Sequence, residues 1–314
     1  VSTFLVRVSL PKRLVRHVAT RRTTPRPVNP WRTAAPRRIV IAAVLASLLA
    51  GSTVTMAQAR PAHPYWRGPA PTVATITAPQ GPFKTAKVDI DGDGNFGSAT
   101  VHYPTTIRQG TYGVVAIVPG FMGYWSWMDW LGPRLASQGF VVIGVDTGLP
   151  WDLPDDRGRQ IEAAVQAVRK DPRVSRVGDF GRVALSGWSM GGGGILDAAT
   201  TRSYRALIPI APWETENQFA KVKTPTLIIG GQTDVVAPDA TMAIPFYEAL
   251  GGKKAFLELA RSDHFFTTGP SDAQAAAMIA WLKLFVDGDT RYRSFICPRP
   301  KIGGAAISMF RSKC

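Results

Sequence analysis

One run limits the fold of this chain more than any other: Val183-Ala184-Leu185-Ser186-Gly187-Trp188-Ser189-Met190-Gly191, continued by Gly192-Gly193-Gly194. Its first residues read as a buried strand, Gly187 to Gly191 match G-x-S-x-G, and Ile195-Leu196-Asp197-Ala198-Ala199 opens a helical pattern. So sharp a turn between strand and helix crowds neighbouring backbones. Small residues are needed on either side of the serine, and Gly187 and Gly191 supply them. The turn lifts a serine hydroxyl to where a base can take its proton and a substrate can reach it. Ser189 is therefore the expected nucleophile.

A hydroxyl needs a base, and the chain has only four histidines: His17, His63, His102 and His264. In sheets of this kind the order is serine, then acid, then histidine, which leaves His264, placed just after the apolar run ending Leu257-Glu258-Leu259. The acid must fall between them. Pro225 to Gly231 reads as a buried parallel strand, and Asp234 follows it in a short loop, where catalytic side chains of open α/β sheets gather. Asp239 is the second choice; its position before the next helical pattern reads as an N-cap. The N–H of Met190, the residue after the nucleophile, is the first expected donor to an oxyanion.

From Pro64 to Cys297 the chain resembles the actinobacterial cutinases and poly(ethylene terephthalate) hydrolases. The resemblance is carried by Pro64-Tyr65-Trp66-Arg67-Gly68-Pro69, Pro119-Gly120-Phe121, Gly139 to Ile143, Trp188-Ser189-Met190-Gly191, Pro212-Trp213 and Ala237-Pro238. Most distinctive is the tail Ala280-Trp281-Leu282-Lys283, with Phe285-Val286-Asp287 and Asp289-Thr290-Arg291-Tyr292. It implies an α/β-hydrolase fold and a secreted esterase acting on polyesters and lipid-like esters, with the triad on Ser189, Asp234 and His264. It also implies a second oxyanion donor at Phe121, and Phe121 and Trp213 flanking the scissile ester. The family usually has tyrosine where this chain has Phe121, and histidine where it has Trp188, a third expected substrate contact. Tyr124, Trp125 and Trp127 stand where the family has mostly small or polar residues, and either form an aromatic lip beside the clamp or pack the next helix. Phe265-Phe266 would make the cleft rim apolar.

The formal charge of +15 is misleading. Residues 1–59 hold ten basic and no acidic side chains, leaving 27 against 22 in residues 60–314, so nucleic acid is not an expected partner. Arg37-Arg38, the apolar stretch Ile39 to Ala50 and the small-x-small Ala57-Gln58-Ala59 read as an export leader, too short to span a membrane. Residues 1–59 are thus the leader and 60–314 a single catalytic domain, with no stable membrane insertion expected and a monomer assumed. Cys297 and Cys314 lie in the last eighteen residues, and an exported protein can keep them as a disulfide.

Short apolar runs at Val114–Val118, Val141–Val145, Val183–Leu185, Ala206–Ile210, Thr226–Ile229 and Ala255–Leu259 alternate with helical patterns. Those patterns fall at 155–170, 191–200, 240–250 and 272–286. Such alternation predicts a mostly parallel sheet with helices on both faces, preceded by an antiparallel meander over 83–103. Asp89-Ile90-Asp91-Gly92-Asp93-Gly94 imitates half of a calcium loop, but Thr100 stands where the bidentate glutamate belongs, so a tight Asp-Gly hairpin turn is expected and no metal. No redox or nucleotide cofactor is called for. Competing functions are an esterase or lipase for soluble short-chain esters, an acyltransferase on the same triad, and a non-catalytic binding module.

Overall fold

The computed structural model describes residues 63–314. The leader, Arg37-Arg38, Ala57-Gln58-Ala59 and His17 lie outside the described residues.

Among the described residues the strands are β1 (Thr85–Asp91), β2 (Ser98–Pro104), β3 (Tyr112–Val118), β4 (Phe140–Asp146), β5 (Gly178–Trp188), β6 (Ala206–Ile210), β7 (Thr226–Gly231), β8 (Lys254–Leu259) and β9 (Ile307–Lys313). They form one sheet in the order β1-β2-β4-β3-β5-β6-β7-β8-β9. β4, β3, β5, β6, β7 and β8 pair in parallel, so their carboxyl ends share one edge. β1 and β2 close one side antiparallel, and β9 closes the other against β8. The expected parallel strands are all present, β5 extending five residues before the predicted start.

The central strands are apolar on both sides because both sides are covered. In β3, Val115 and Ile117 join one core layer, while Val114, Ala116 and Val118 join the other. The first layer holds α1 (Val73–Thr77), α2 (Leu131–Ser137), α7 (Asp272–Phe285) and α8 (Arg293–Ile296). The second holds α3 (Pro154–Lys170), α4 (Pro172–Ser175), α5 (Met190–Thr201) and α6 (Ala243–Ala249). α3 starts on a proline, carries Asp155 and Asp156 in its first turn and Arg169 and Lys170 in its last, and stops just before Pro172. Each feature favours a helix in that place and no further. α7 is alanine-rich, N-capped by Ser271 and buried along almost its whole length.

Buried charges tie the distinctive tail to the sheet. Asp287 accepts from Arg182 of β5 at 2.6 Å and from Lys283 of α7 at 2.9 Å, with all three side chains nearly inaccessible. Two expectations about local structure change. The β1–β2 connection is a six-residue loop, not a tight two-residue turn: it pairs Asp91 with Ser98, closes an Asx turn from Asp93 to Asn95 and buries Phe96. The tail beyond the last long helix returns to the sheet as β9. α6 begins three residues later than predicted and is capped at Met242, so Asp239 is not its N-cap. Cys297 and Cys314 form the disulfide and pin the ends of that tail.

Candidate active site

Ser189 sits between β5 and α5 with φ 55° and ψ −122°, a conformation costly for any residue with a side chain. The surroundings force it. Its N–H donates to the Ile210 carbonyl at 2.9 Å, and its own carbonyl accepts from Gly193 at 3.1 Å and Trp213 at 3.0 Å. A methyl group on Gly191 would lie 2.5 Å from the carbonyl oxygens of Val118 and Pro119, which is why the turn needs glycine there. One on Gly120 would lie 2.6 Å from Ser189 Cβ, so the loop leaving β3 presses directly on the serine.

The edge then assembles three side chains from distant segments. His264 Nε2 lies 2.9 Å from Ser189 Oγ, and His264 Nδ1 lies 2.7 Å from Asp234 Oδ2. The other Asp234 oxygen accepts the N–H groups of Val236 and Ala237, both at 2.8 Å, which fixes the carboxylate without using the oxygen that faces the imidazole. Burial pushes the Asp234 carboxyl up, but the bond to His264 and those backbone donors outweigh it and hold it below the usual carboxylate range. Ser189, Asp234 and His264 are all at least nine-tenths buried, so little water competes for these bonds.

Among the described residues the Phe121 N–H has no backbone or side-chain acceptor. Met190 opens α5, where an N–H has no partner within the helix. Both groups flank Ser189 along the chain or through Gly120. The Phe121 ring is half exposed, and Trp213 is fastened beside the serine by its N–H bond to the Ser189 carbonyl. Trp188 is placed differently from the substrate contact expected of it. Its ring is 2% exposed, and its indole N–H donates to the His264 carbonyl at 2.9 Å, so it lies beneath the histidine loop. The aromatic segment divides: Trp125 is buried over Gly144, whereas Tyr124 and Trp127 are exposed. Phe265 is exposed, while Phe266 packs against the core.

Asp239 takes no part in this chain of bonds. It is buried, neither oxygen has a well-formed hydrogen bond, and burial together with the charges of Glu258 and Asp234, opposed more weakly by the Gly231 N–H, raises its acid to about 7. Two supporting residues had no clear signal in the sequence. Arg157 looks like an ordinary helix charge beside Asp155 and Asp156, yet it is wholly buried and donates to the carbonyls of Pro119, Pro150 and Asp152. Burial lowers its guanidinium to about 10. Glu214, next to Trp213, is buried too and accepts the N–H groups of Thr215 and Glu216.

The family model of PET hydrolase-like proteins matches residues 59–314. The chain belongs to that family. A bis(hydroxyethyl) terephthalate hydrolase of Streptomyces coelicolor is 43% identical over 284 residues, covering 88% of this chain and 91% of the relative. Cutinase cut1 of Thermobifida fusca is 42% identical over 287 residues, covering 88% and 89%. Cutinase 2 of Thermobifida cellulosilytica is 43% identical over 262 residues, covering 81% and 99%. Like other members of the PET hydrolase-like family, this chain has the α/β-hydrolase fold and is a serine ester hydrolase.

Proposed function

We propose that the chain is an exported polyester hydrolase working through an acyl-enzyme, with Ser189 as nucleophile, His264 as base and Asp234 as the group that orients the imidazole. The observation that carries this reading is the unbroken relay from Ser189 Oγ through both nitrogens of His264 to Asp234. As Ser189 attacks an ester carbonyl, His264 takes its proton, and Asp234 holds the correct tautomer and stabilises the imidazolium. His264 then returns the proton to the departing alcohol. Water, deprotonated by the same imidazole, releases the acid and regenerates the hydroxyl.

The N–H groups of Phe121 and Met190 would hold the tetrahedral oxyanion; one such donor is worth on the order of 3 kcal/mol in the transition state. Phe121 and Trp213 would grip the acyl unit between ring faces. Trp188 acts at one remove, bracing the His264 loop from below. The phenyl ring of Phe121, in place of a phenol, makes the clamp apolar, which suits a neutral ester. Support for polyester comes from the relatives named as cutinases and as a terephthalate ester hydrolase. Residues 60–314 act as one catalytic domain, and 1–59 as a leader removed on export, an arrangement consistent with the Cys297–Cys314 disulfide.

The test is product release from PET and aliphatic polyester films, together with turnover of p-nitrophenyl butyrate, by the wild type and Ser189→Ala. The wild type is expected to act on all three and the variant on none. Turnover surviving in Ser189→Ala would overturn the mechanism, and soluble-ester turnover without film products would reduce the enzyme to a small-ester esterase.

A further inference from the structure

A cleft of about 410 Å³ opens on the side of the sheet away from Ser189, between α3, the first half of β5 and the loop that joins α5 to β6. Its volume falls within the roughly 300–1,000 Å³ of small-molecule sites. Ser189 follows the carboxyl end of β5, whereas the cleft takes Phe180 and Val183 from the same strand and Arg205 from just before β6, so it lies at the amino ends of both. At about 3.3 Å per residue of strand, Val183 stands roughly 20 Å from the serine. The two sites are separate.

The lining divides into an apolar part and a charged part. Val165 of α3 and Leu185 of β5 are buried, and Phe180 and Val183 beside them are partly so. Glu162 is already engaged, accepting from the Tyr204 hydroxyl and pairing with Arg202 at 3.5 Å. Arg205 is not. Its backbone N–H donates to the Val183 carbonyl at 2.8 Å and fixes where the residue stands, but among the described residues its guanidinium meets no carboxylate within ion-pair distance. Asp179, which Arg205 reaches only through space, is bonded to Arg182 and to the Gly181 N–H. An arginine on open surface would be an ordinary solvated charge. Here it shares a cleft with apolar surface that the chain leaves uncovered, and the combination selects a ligand.

We propose that this cleft is a second binding site for a monocarboxylate with a compact apolar body, the class of acid that ester hydrolysis releases at each turnover. A carboxylate matches the guanidinium fork of Arg205 with two parallel hydrogen bonds, and its body removes water from Val165, Phe180, Val183 and Leu185. Inorganic phosphate satisfies the arginine alone. A dicarboxylate carries its second charge into a cleft that already holds Glu162, which disfavours it. The proposal rests on ester hydrolysis and not on the polyester reading: released acid binds at the far edge of the sheet, where it does not obstruct Ser189.

The experiment titrates the full chain, before and after inactivation by a fluorophosphonate, with benzoate, monomethyl terephthalate, hexanoate, terephthalate and inorganic phosphate, followed by calorimetry and saturation-transfer NMR. In the inactivated enzyme the three monocarboxylates are expected to bind at one site with Kd on the order of 1 mM, and terephthalate and phosphate at least about fivefold more weakly. Arg205→Gln should weaken the monocarboxylates about tenfold, and Glu162→Gln should remove most of the gap between terephthalate and benzoate. Both variants should keep kcat/KM for p-nitrophenyl butyrate within about twofold of wild type, because neither residue is near the relay. Carboxylate binding that disappears on inactivation belongs to the catalytic cleft and would overturn the proposal. So would equal affinity in Arg205→Gln, phosphate bound as tightly as benzoate, or no saturable binding at all. An enzyme that binds these acids but leaves polyester films intact would count against the polyester reading and leave the second site standing.

Discussion

Asp239→Asn isolates a buried acid that the proposed Ser189–His264–Asp234 relay does not use. Its carboxylate lies against Gly230 and faces Glu258 and Asp234, and neither oxygen has a well-formed hydrogen bond. Burial and the two neighbouring carboxylates raise its acid from 3.8 to about 7. The folded protein therefore keeps this proton across a window in which the unfolded chain has released it. Between about pH 4 and pH 7 the native state binds more protons, so Asp239 makes stability fall as pH rises, and the effect levels off above the folded value. A shift of about three units corresponds to about 4 kcal/mol at most. Relaxation of the surrounding loop lowers this to an expected effect of about 2–4 kcal/mol. Asparagine keeps the shape and cannot ionise, and its amide can donate to Glu258. Urea unfolding of wild type and variant at pH 4.5 and pH 8 reads the effect: relative to wild type, the variant should gain those few kcal/mol on going to pH 8. Parallel stability profiles for the two proteins would refute the reasoning.

Three further outcomes follow from the same contacts. Asp234→Asn should lower kcat for p-nitrophenyl butyrate by on the order of 10³–10⁴ with little change in KM, because the amide presents a donor to Nδ1 and favours the wrong tautomer; steady-state kinetics check it. Gly191→Ala should cost about 1–3 kcal/mol by thermal unfolding, since the new methyl meets the carbonyl oxygens of Val118 and Pro119. Replacing Cys297 and Cys314 by serine opens a link across 17 positions and should cost about 3 kcal/mol. Hydrogen exchange should then quicken at Ile307–Lys313 before it does in β3 or β5.

Much of the sheet was legible because β3 to β8 are short, apolar and separated by turn residues, and the serine turn has a demanding local pattern. The order serine, acid, histidine with one eligible histidine made the relay legible as well. β9 was not, because Ile307-Ser308-Met309-Phe310-Arg311 is an edge strand with half-exposed side chains and no clear alternation. Asp239 was misplaced because local capping preference says nothing about burial against Gly230. Trp188 and Trp125 look like their exposed neighbour Trp127; only the packing beneath His264 and over Gly144 tells them apart. Arg157 needed the tertiary fold, since its carbonyl partners are supplied by loops after β3 and β4.

The relay itself is tested most directly by covalent labelling. The enzyme is incubated with a fluorophosphonate, digested, and its peptides weighed, while residual p-nitrophenyl butyrate turnover is followed in parallel. One label per chain on the peptide containing Ser189, appearing at the rate at which turnover disappears and greatly slowed by His264→Ala, is the predicted result. Full turnover in a chain labelled at Ser189, or inactivation with the label on another residue, would contradict the account.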